Sequence, residues 1–369
     1  MVSKYDVLVS VAKKGIIELK ELPYSNKDYF IKQLEEEKLV IKKGSKILVN
    51  NNPKTKKIFL ILMFCLNNDL DYNFYTNKTT LTFLHEYFNN KKNSLSTNTL
   101  TKIRKKLQKD SFLVSLSKKP IEYIVLNHTF FKELFDYFNL KYNEKELPKQ
   151  KILEKISKIK IKRSIKEKTS FIHSSLQLEG NLLTLRQTQK VLKNELLKEE
   201  IKPKDVLETI NYNNGLNYLN NIKELTIDNI LYMHSLIMNH EEFSGKIRQE
   251  DVVIKGNPKF KICSYKNIKK ELNKLLETNI NVRSKNVFEL CEQISYIHNQ
   301  FQYIHPFIDG NSRLTRLITY FLFKKNSIAF DIPIGFTTLY VNATKGYDKR
   351  DDDKLALLFA SILLKLAEN

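Results

Sequence analysis

Residues His305–Arg316 read HPFIDGNSRLTR, and their types and spacing describe a place for a phosphate chain. Leu314, Leu317, Ile318, Phe321 and Leu322 recur at the spacing of an apolar helical stripe. A helix is therefore expected to start near Ser312, just after the turn-forming tripeptide Asp309-Gly310-Asn311. The first main-chain N–H groups of a helix lack internal partners and point along its axis, where the dipole favours an anion. Gly310, Asn311 and Ser312 would present such groups, and Arg313 and Arg316 add two guanidinium forks off the apolar stripe. Asp309 would repel phosphate unless a divalent cation intervened, which implies Mg2+. His305 can take a proton from an incoming hydroxyl near neutral pH, whereas Phe307 is expected to plug the core and hold the loop. A base, a metal carboxylate and a phosphate cradle together point to phosphoryl or nucleotidyl transfer to a hydroxyl.

The elements around this segment are expected to be helical from Thr169 onward. The exception is Val252–Cys263, where Val252-Val253-Ile254, Lys255-Gly256-Asn257-Pro258 and Phe260–Cys263 read as a β-hairpin. His234 and His298 lie on apolar helix faces. Histidines so placed are more often satisfied core residues than catalysts, and both are left out of the site. The Glu35-Glu36-Glu37 run reads as a solvated helix face.

The N-terminal part has a different character. Residues 1–53 are expected to hold a helix over Tyr5–Lys13, a short helix over Glu18–Leu22, and an amphipathic helix capped by Ser25 or Asn26 that buries Phe30, Ile31 and Leu34. A hairpin of Leu39–Ile41 and Ile47–Val49 about Gly44 closes the set. The order recurs over residues 54–140, with helices at Lys56–Leu66, Thr80–Phe88 and Ser96–Lys109 and a hairpin of Phe112–Leu116 and Ile121–Leu126. Both segments look like winged-helix modules. The third helix of the second carries Lys102, Arg104, Lys105, Lys106 and Lys109 opposite Leu100, Ile103 and Leu107, a face suited to DNA phosphates. No base-reading residue is identifiable, and a basic face in a Lys-rich chain is also explained by solvation alone. Residues 141–168 read as a helical linker.

Charge follows the same division. Residues 1–170 hold 35 Lys and Arg against 18 Asp and Glu, whereas the remainder of the 369-residue chain holds 27 against 23. A polyanion partner is therefore expected through residues 1–140. The three cysteines are far apart and form no C-x-x-C pair, which excludes a zinc ribbon and fits a reducing compartment. The longest apolar run, Ile58–Leu66, is too short to cross a bilayer. The opening residues MVSKYDVLVSVAKKG lack a signal-peptide pattern, so a cytoplasmic location without membrane association is expected.

At His305–Arg316 the sequence resembles the Fic family, whose motif is H-x-F-x-[DE]-G-N-G-R-x-x-R. His305, Phe307, Asp309, Gly310, Asn311, Arg313 and Arg316 match, and Ser312 replaces the usual glycine. The resemblance extends over about residues 170–369, with Leu225–His234, Gly245 and Arg248 ahead of a flap at residues 252–263. It implies a mainly α fold, a helical Fic domain with a β-hairpin flap over 169–369. It also implies transfer of AMP from ATP to a Ser, Thr or Tyr hydroxyl of a target protein docked on the flap. By the same resemblance His305 is the base, Asp309 holds Mg2+, Asn311 and Arg313 bind the α- and β-phosphates, and Arg316 meets the γ-phosphate. Ser175-Leu176-Gln177-Leu178-Glu179-Gly180 matches the family's inhibitory motif on a helix over about 170–180, where Glu179 would pair with Arg316. The rival readings are a hydrolase that removes AMP using Glu179, and a DNA-binding regulator whose Fic domain senses nucleotide. A homodimer is also among the partners considered.

Overall fold

The computed structural model describes residues 4–23, 27–52, 59, 97–110, 112–118, 121–125, 131–141, 149–157, 168–196, 201–254, 260–279, 282–284, 286–333, 336–344 and 352–367. Two compact units emerge, residues 1–155 with 334–339, and residues 156–333 with 340–367.

In the first unit, helix α1 (Lys4–Lys14) buries Val7, Leu8 and Val11 and stops at Gly15, whose φ of 73° suits the residue that ends a helix. The chain then forms strand β1 (Ile16–Glu18) and a single 3-10 turn (Leu19–Glu21), not the helix expected over Glu18–Leu22. The β-branched Ile16 and Ile17 pair with Leu48 and Ile47, and this tertiary pairing outweighs a weak local helical pattern. Helix α2 (Lys27–Glu36) buries Phe30, Ile31 and Leu34 as expected. Strands β2 (Val40–Lys43) and β3 (Lys46–Val49) turn at Gly44, where φ is 62°, and complete a sheet ordered β1-β3-β2. The described residues of 1–53 thus form two α-helices and three strands.

Further along, α3 (Thr97–Lys109) precedes antiparallel β4 (Leu113–Lys118) and β5 (Ile121–Val125), and α4 (Phe131–Tyr137) follows. The helices expected at Lys56–Leu66 and Thr80–Phe88 fall on segments that, apart from Phe59, are outside the described residues. Buried residues from Tyr5 to Leu140 form one hydrophobic cluster. The Tyr5 and Phe112 rings lie 4.9 Å apart and the Phe112 and Phe131 rings 5.1 Å apart. Asp110 accepts the Tyr5 hydroxyl at 2.7 Å and the Lys4 ammonium at 3.2 Å. The two stretches read as separate modules therefore share a core. Helix α5 (Lys149–Ile156) occupies part of the expected linker.

The second unit is helical. Its elements are α6 (Lys168–Gln177), α7 (Leu185–Leu192), α8 (Pro203–Asn221), α9 (Ile227–Ile237), α10 (Ile268–Asn279), α11 (Val287–Ile304), α12 (Asn311–Lys325) and α14 (Asp352–Ala367). Helix α13 (Phe336–Thr344) enters it through Tyr340. Helix α12 is the axis, packed by α6, α8, α9 and α11 and buried on most of its circumference. Gly215 lets α8 approach it, since a Cβ there would lie 2.5 Å from Ile237 Cγ2 and 3.4 Å from Leu317 Cδ1.

The expected hairpin over Val252–Cys263 is not a paired ladder. Residues 251–254 and 260–264 are not in strands, and residues 255–259 are outside the described ones. The carbonyls of Glu250 and Cys263 accept from the Arg248 guanidinium, and the Cys263 N–H donates to Tyr303 O at 2.8 Å. Flanking backbone groups that a β-ladder would extend through are held by the body of the domain instead.

Replacing Phe112 by Ala is expected to cost about 3–5 kcal/mol of stability to the first unit. Hydrogen exchange should show α1 and β3 losing protection together with α3 and β4. Loss confined to residues 97–140 would contradict a shared core.

Candidate functional site

The site forms where α11 ends and α12 begins. His305 caps α11 in the left-handed conformation, φ 46° and ψ 60°, and its N–H donates to Phe301 O at 3.0 Å. This sharp reversal ends α11 and starts the loop 306–310. The His305 Nδ1 lies 3.3 Å from Gln302 O, so a proton held there puts the basic lone pair on Nε2. The His305 carbonyl accepts from Arg248 Nε at 2.8 Å, while the Arg248 N–H donates to Pro306 O at 3.0 Å.

Gly310 precedes the first helical residue with φ 80°, and a Cβ there would lie 2.9 Å from Met238 Cγ and 3.1 Å from His234 Nε2. The special backbone position of the motif is thus Gly310. Ser312 lies inside α12 and is not among the described residues with positive φ, so serine at this position carries no backbone strain. Asn311 departs from its expected part. Its Oδ1 accepts the Phe307 N–H at 3.0 Å and its Nδ2 donates to Phe307 O at 2.8 Å. The Asn311 side chain closes the loop, and its main-chain N–H is what remains to face phosphate.

Asp309 is largely exposed. One of its oxygens accepts the Gly310 N–H at 2.6 Å and the other pairs with Arg313 Nη2 at 3.1 Å. Among the described residues there is no cluster of three or more His, Cys, Asp or Glu able to hold a metal. A lone exposed carboxylate nonetheless fits Mg2+, which keeps several waters and takes its other ligands from substrate phosphates.

The two arginines are buried. Arg313 reaches Asp309 and, at 3.8 Å, Glu208. Arg316 is 1% exposed and donates Nε to Ser175 Oγ at 2.6 Å, and Nη2 to Ser175 O at 3.0 Å and to Glu179 Oε1 at 2.6 Å. The expected Glu179–Arg316 pair is therefore present. The Ser175 carbonyl belongs to the last turn of α6, so Arg316 also caps a helix C-terminus, an end that favours a cation. Burial is the largest single influence on Arg316 and opposes its charge, but Glu179, Tyr212 and Tyr340 together outweigh it and the guanidinium pKa is raised. Ser175 in turn donates to Tyr212 OH at 2.7 Å, and Tyr212 donates to Arg313 O at 3.3 Å. On these two arginines, Arg313 Nε and Arg316 Nη1 are buried and have no acceptor among the described residues.

Residues 224–323 match the model of the Fic/DOC family. They form a Fic domain. The loop and the start of α12 lie within the matched stretch, and Ser175 and Glu179 precede it. Protein adenylyltransferase fic-1 of Caenorhabditis briggsae is 26% identical over 156 residues, covering 40% of this chain and 30% of that protein. Protein adenylyltransferase Fic of Nematostella vectensis is 25% identical over 169 residues, 43% of this chain and 38% of that one. The chain thus spans about a third of the length of these curated relatives. The solved structure of Fic-1 from C. elegans is 15% identical over 99% of this chain and 96% of that one, with a TM-score of 0.49.

The structure adds Arg248, Tyr212 and His234 to the surroundings of this Fic domain's motif. Tyr212 carries no sequence signal, and Arg248 stood out only through the family resemblance. His298 is a core histidine as expected, held by Tyr340 OH at 2.6 Å and Asn299. His234 is equally buried but touches the motif loop, and burial pushes it down to about 4 from an ordinary 6.5.

Between those values the unfolded chain takes up a proton that folded His234 refuses, so stability is lost as pH falls through that window. Burial lowers His173 in the same direction. Melting temperatures between pH 7 and pH 4 are expected to fall less steeply for His234→Phe than for the parent. Equal slopes would remove His234 as a source.

Proposed function

We propose that this chain transfers AMP from ATP to a hydroxyl of a protein, and that Glu179 holds the site at rest. The observation that carries the reading is the pair of buried arginine N–H groups, Arg313 Nε and Arg316 Nη1, lacking an acceptor among the described residues beside the start of α12. A buried donor left unpaired costs about 1–3 kcal/mol, and phosphate oxygens would satisfy both. The names of the relatives, protein adenylyltransferases, support AMP as the group moved.

In the reaction, the target hydroxyl oxygen bonds to the α-phosphorus, and the bond from that phosphorus to the β-phosphate bridge breaks. His305 Nε2 takes the hydroxyl proton, and pyrophosphate leaves. The N–H groups at the start of α12 and the Arg313 guanidinium face the negative charge that moves onto the phosphates. Asp309 would hold Mg2+, which when bound neutralises phosphate charge. Ser175 and Glu179 together occupy Arg316, which the γ-phosphate would otherwise engage. The segment around 252–263, whose Cys263 N–H is bonded to Tyr303 O, is the proposed docking place of the target.

With labelled ATP, Glu179→Gly should raise incorporation into the chain or an added protein at least about tenfold, equivalent to ~1.4 kcal/mol, and His305→Ala should abolish it. No gain from Glu179→Gly over His305→Ala would overturn the proposal. ATP should label and other nucleoside triphosphates should not.

DNA remains a second proposed partner of the first unit, because Lys102, Lys105 and Lys109 are exposed on α3. Arg104 is half-buried and already engaged, so it adds less than expected. Neutralising Lys102 and Lys105 is expected to lower the salt dependence of duplex binding by about one unit of slope per lost phosphate contact. Binding that ignores both salt and these changes would exclude a phosphate role for α3.

A further inference from the structure

His234 lies outside every residue assigned to the reaction above, yet it is fully buried against the motif loop. Its ring stacks on Phe307 with centroids 3.7 Å apart and planes within 4°. Nδ1 accepts the Gly245 N–H at 2.8 Å, and a main-chain N–H can only donate. That contact dictates the tautomer: the proton sits on Nε2, which donates to the Asp309 carbonyl at 3.0 Å. Both ring nitrogens therefore serve main-chain groups, one on the segment leading to Arg248 and one in the motif.

The consequence falls on the peptide between Asp309 and Gly310. Its carbonyl is fixed by His234, and its N–H faces the Asp309 carboxylate at 2.6 Å. That carboxylate also pairs with Arg313. The Gly245–Arg248 segment grips the other end of the loop, through Pro306 O and the His305 carbonyl. An ordinary core histidine would need only some partner for each nitrogen. Here the partners bracket the catalytic loop, and the ring forms the floor under Phe307.

We propose that His234 is a positioning residue: its Nε2–H bond to the Asp309 carbonyl sets the peptide plane that aims the Asp309 carboxylate and the N–H groups starting α12. This rests on the AMP-transfer reading, because the geometry it sets is that of the phosphate site.

Three substitutions in a Glu179→Gly background separate the contacts. His234→Gln can place an amide N–H near Nε2, keeping the bond to Asp309 while losing the one to Gly245. His234→Asn can place a carbonyl near Nδ1 and keeps only the Gly245 bond. His234→Phe keeps the stack and loses both. For ATP-dependent labelling, Asn and Phe are expected to lower kcat at least about tenfold, the equivalent of ~1.4 kcal/mol. The KM for ATP should change far less, and Gln should stay within about threefold of the parent. Equal losses for Gln and Asn that track melting temperature, or full rate in Phe, would overturn the proposal. Histidine-15N NMR reads the tautomer without any activity, using the signal lost in His234→Gln. A ring protonated on Nε2 alone is expected, and one protonated on Nδ1 overturns the proposal. Should the Glu179→Gly parent transfer no label, the AMP-transfer reading falls. His234 is then judged by the ATP-induced rise in melting temperature, which Gln should keep and Asn and Phe should reduce. A rise unchanged in all three overturns it.

Discussion

A guanidinium that is almost entirely out of water must find acceptors, and Arg316 is the point on which the Fic domain turns. Removing such a charge from solvent costs several kcal/mol even after relaxation, and the cost is offset only by close, well-aligned partners. Arg316 finds three contacts on one neighbouring segment: the Ser175 hydroxyl, the Ser175 carbonyl and the Glu179 carboxylate. That demand fixes where α6 must end relative to α12. The Tyr212 hydroxyl carries the same network on to the main chain of Arg313. Two helix ends of opposite polarity thus meet at one side chain, with the C-terminus of α6 claiming Arg316 and the N-terminus of α12 offering it to an anion.

The His305 end of the site is organised by a different means. His305 sits in a backbone conformation that a non-glycine residue adopts at a cost, and such strain persists only where the surroundings over-determine it. Arg248 supplies that over-determination, since it is buried and holds the His305 and Pro306 carbonyls at the start of the loop and the carbonyl of Cys263. Its second task is to hold the Glu250 and Cys263 carbonyls, next to the described residues 251–254 and 260–264 that are not in strands.

Which parts could be read from the amino acids follows from how local the deciding interaction is. The start of α12, expected near Ser312 and found at Asn311, and the burial of Phe30, Ile31 and Leu34 were legible because local period and turn residues specify them. The strand at Ile16–Glu18 was not, because its partner lies some thirty residues away and three residues are too few for a period. The pairing of Glu179 with Arg316 spans 137 residues, and only the family resemblance brought the two together. Direction was harder still. The resemblance gave Asn311 a place beside the phosphates, but it says nothing of where an amide points. His234 was read rightly as buried and satisfied, and what escaped notice was which carbonyl satisfied it.

Asn311 carries a thermodynamic consequence. Its amide makes a two-bond ring with the Phe307 peptide, four residues back, so the loop between them is closed before any ligand arrives. The conformational entropy of that loop is surrendered once, on folding, and not again at each encounter with nucleotide. On the AMP-transfer proposal, occupancy of the site would then depend on the competition for Arg316 and not on the ordering of the loop. In energetic terms the proposed cradle is pre-closed, and its proposed ligand would replace a carboxylate already in place.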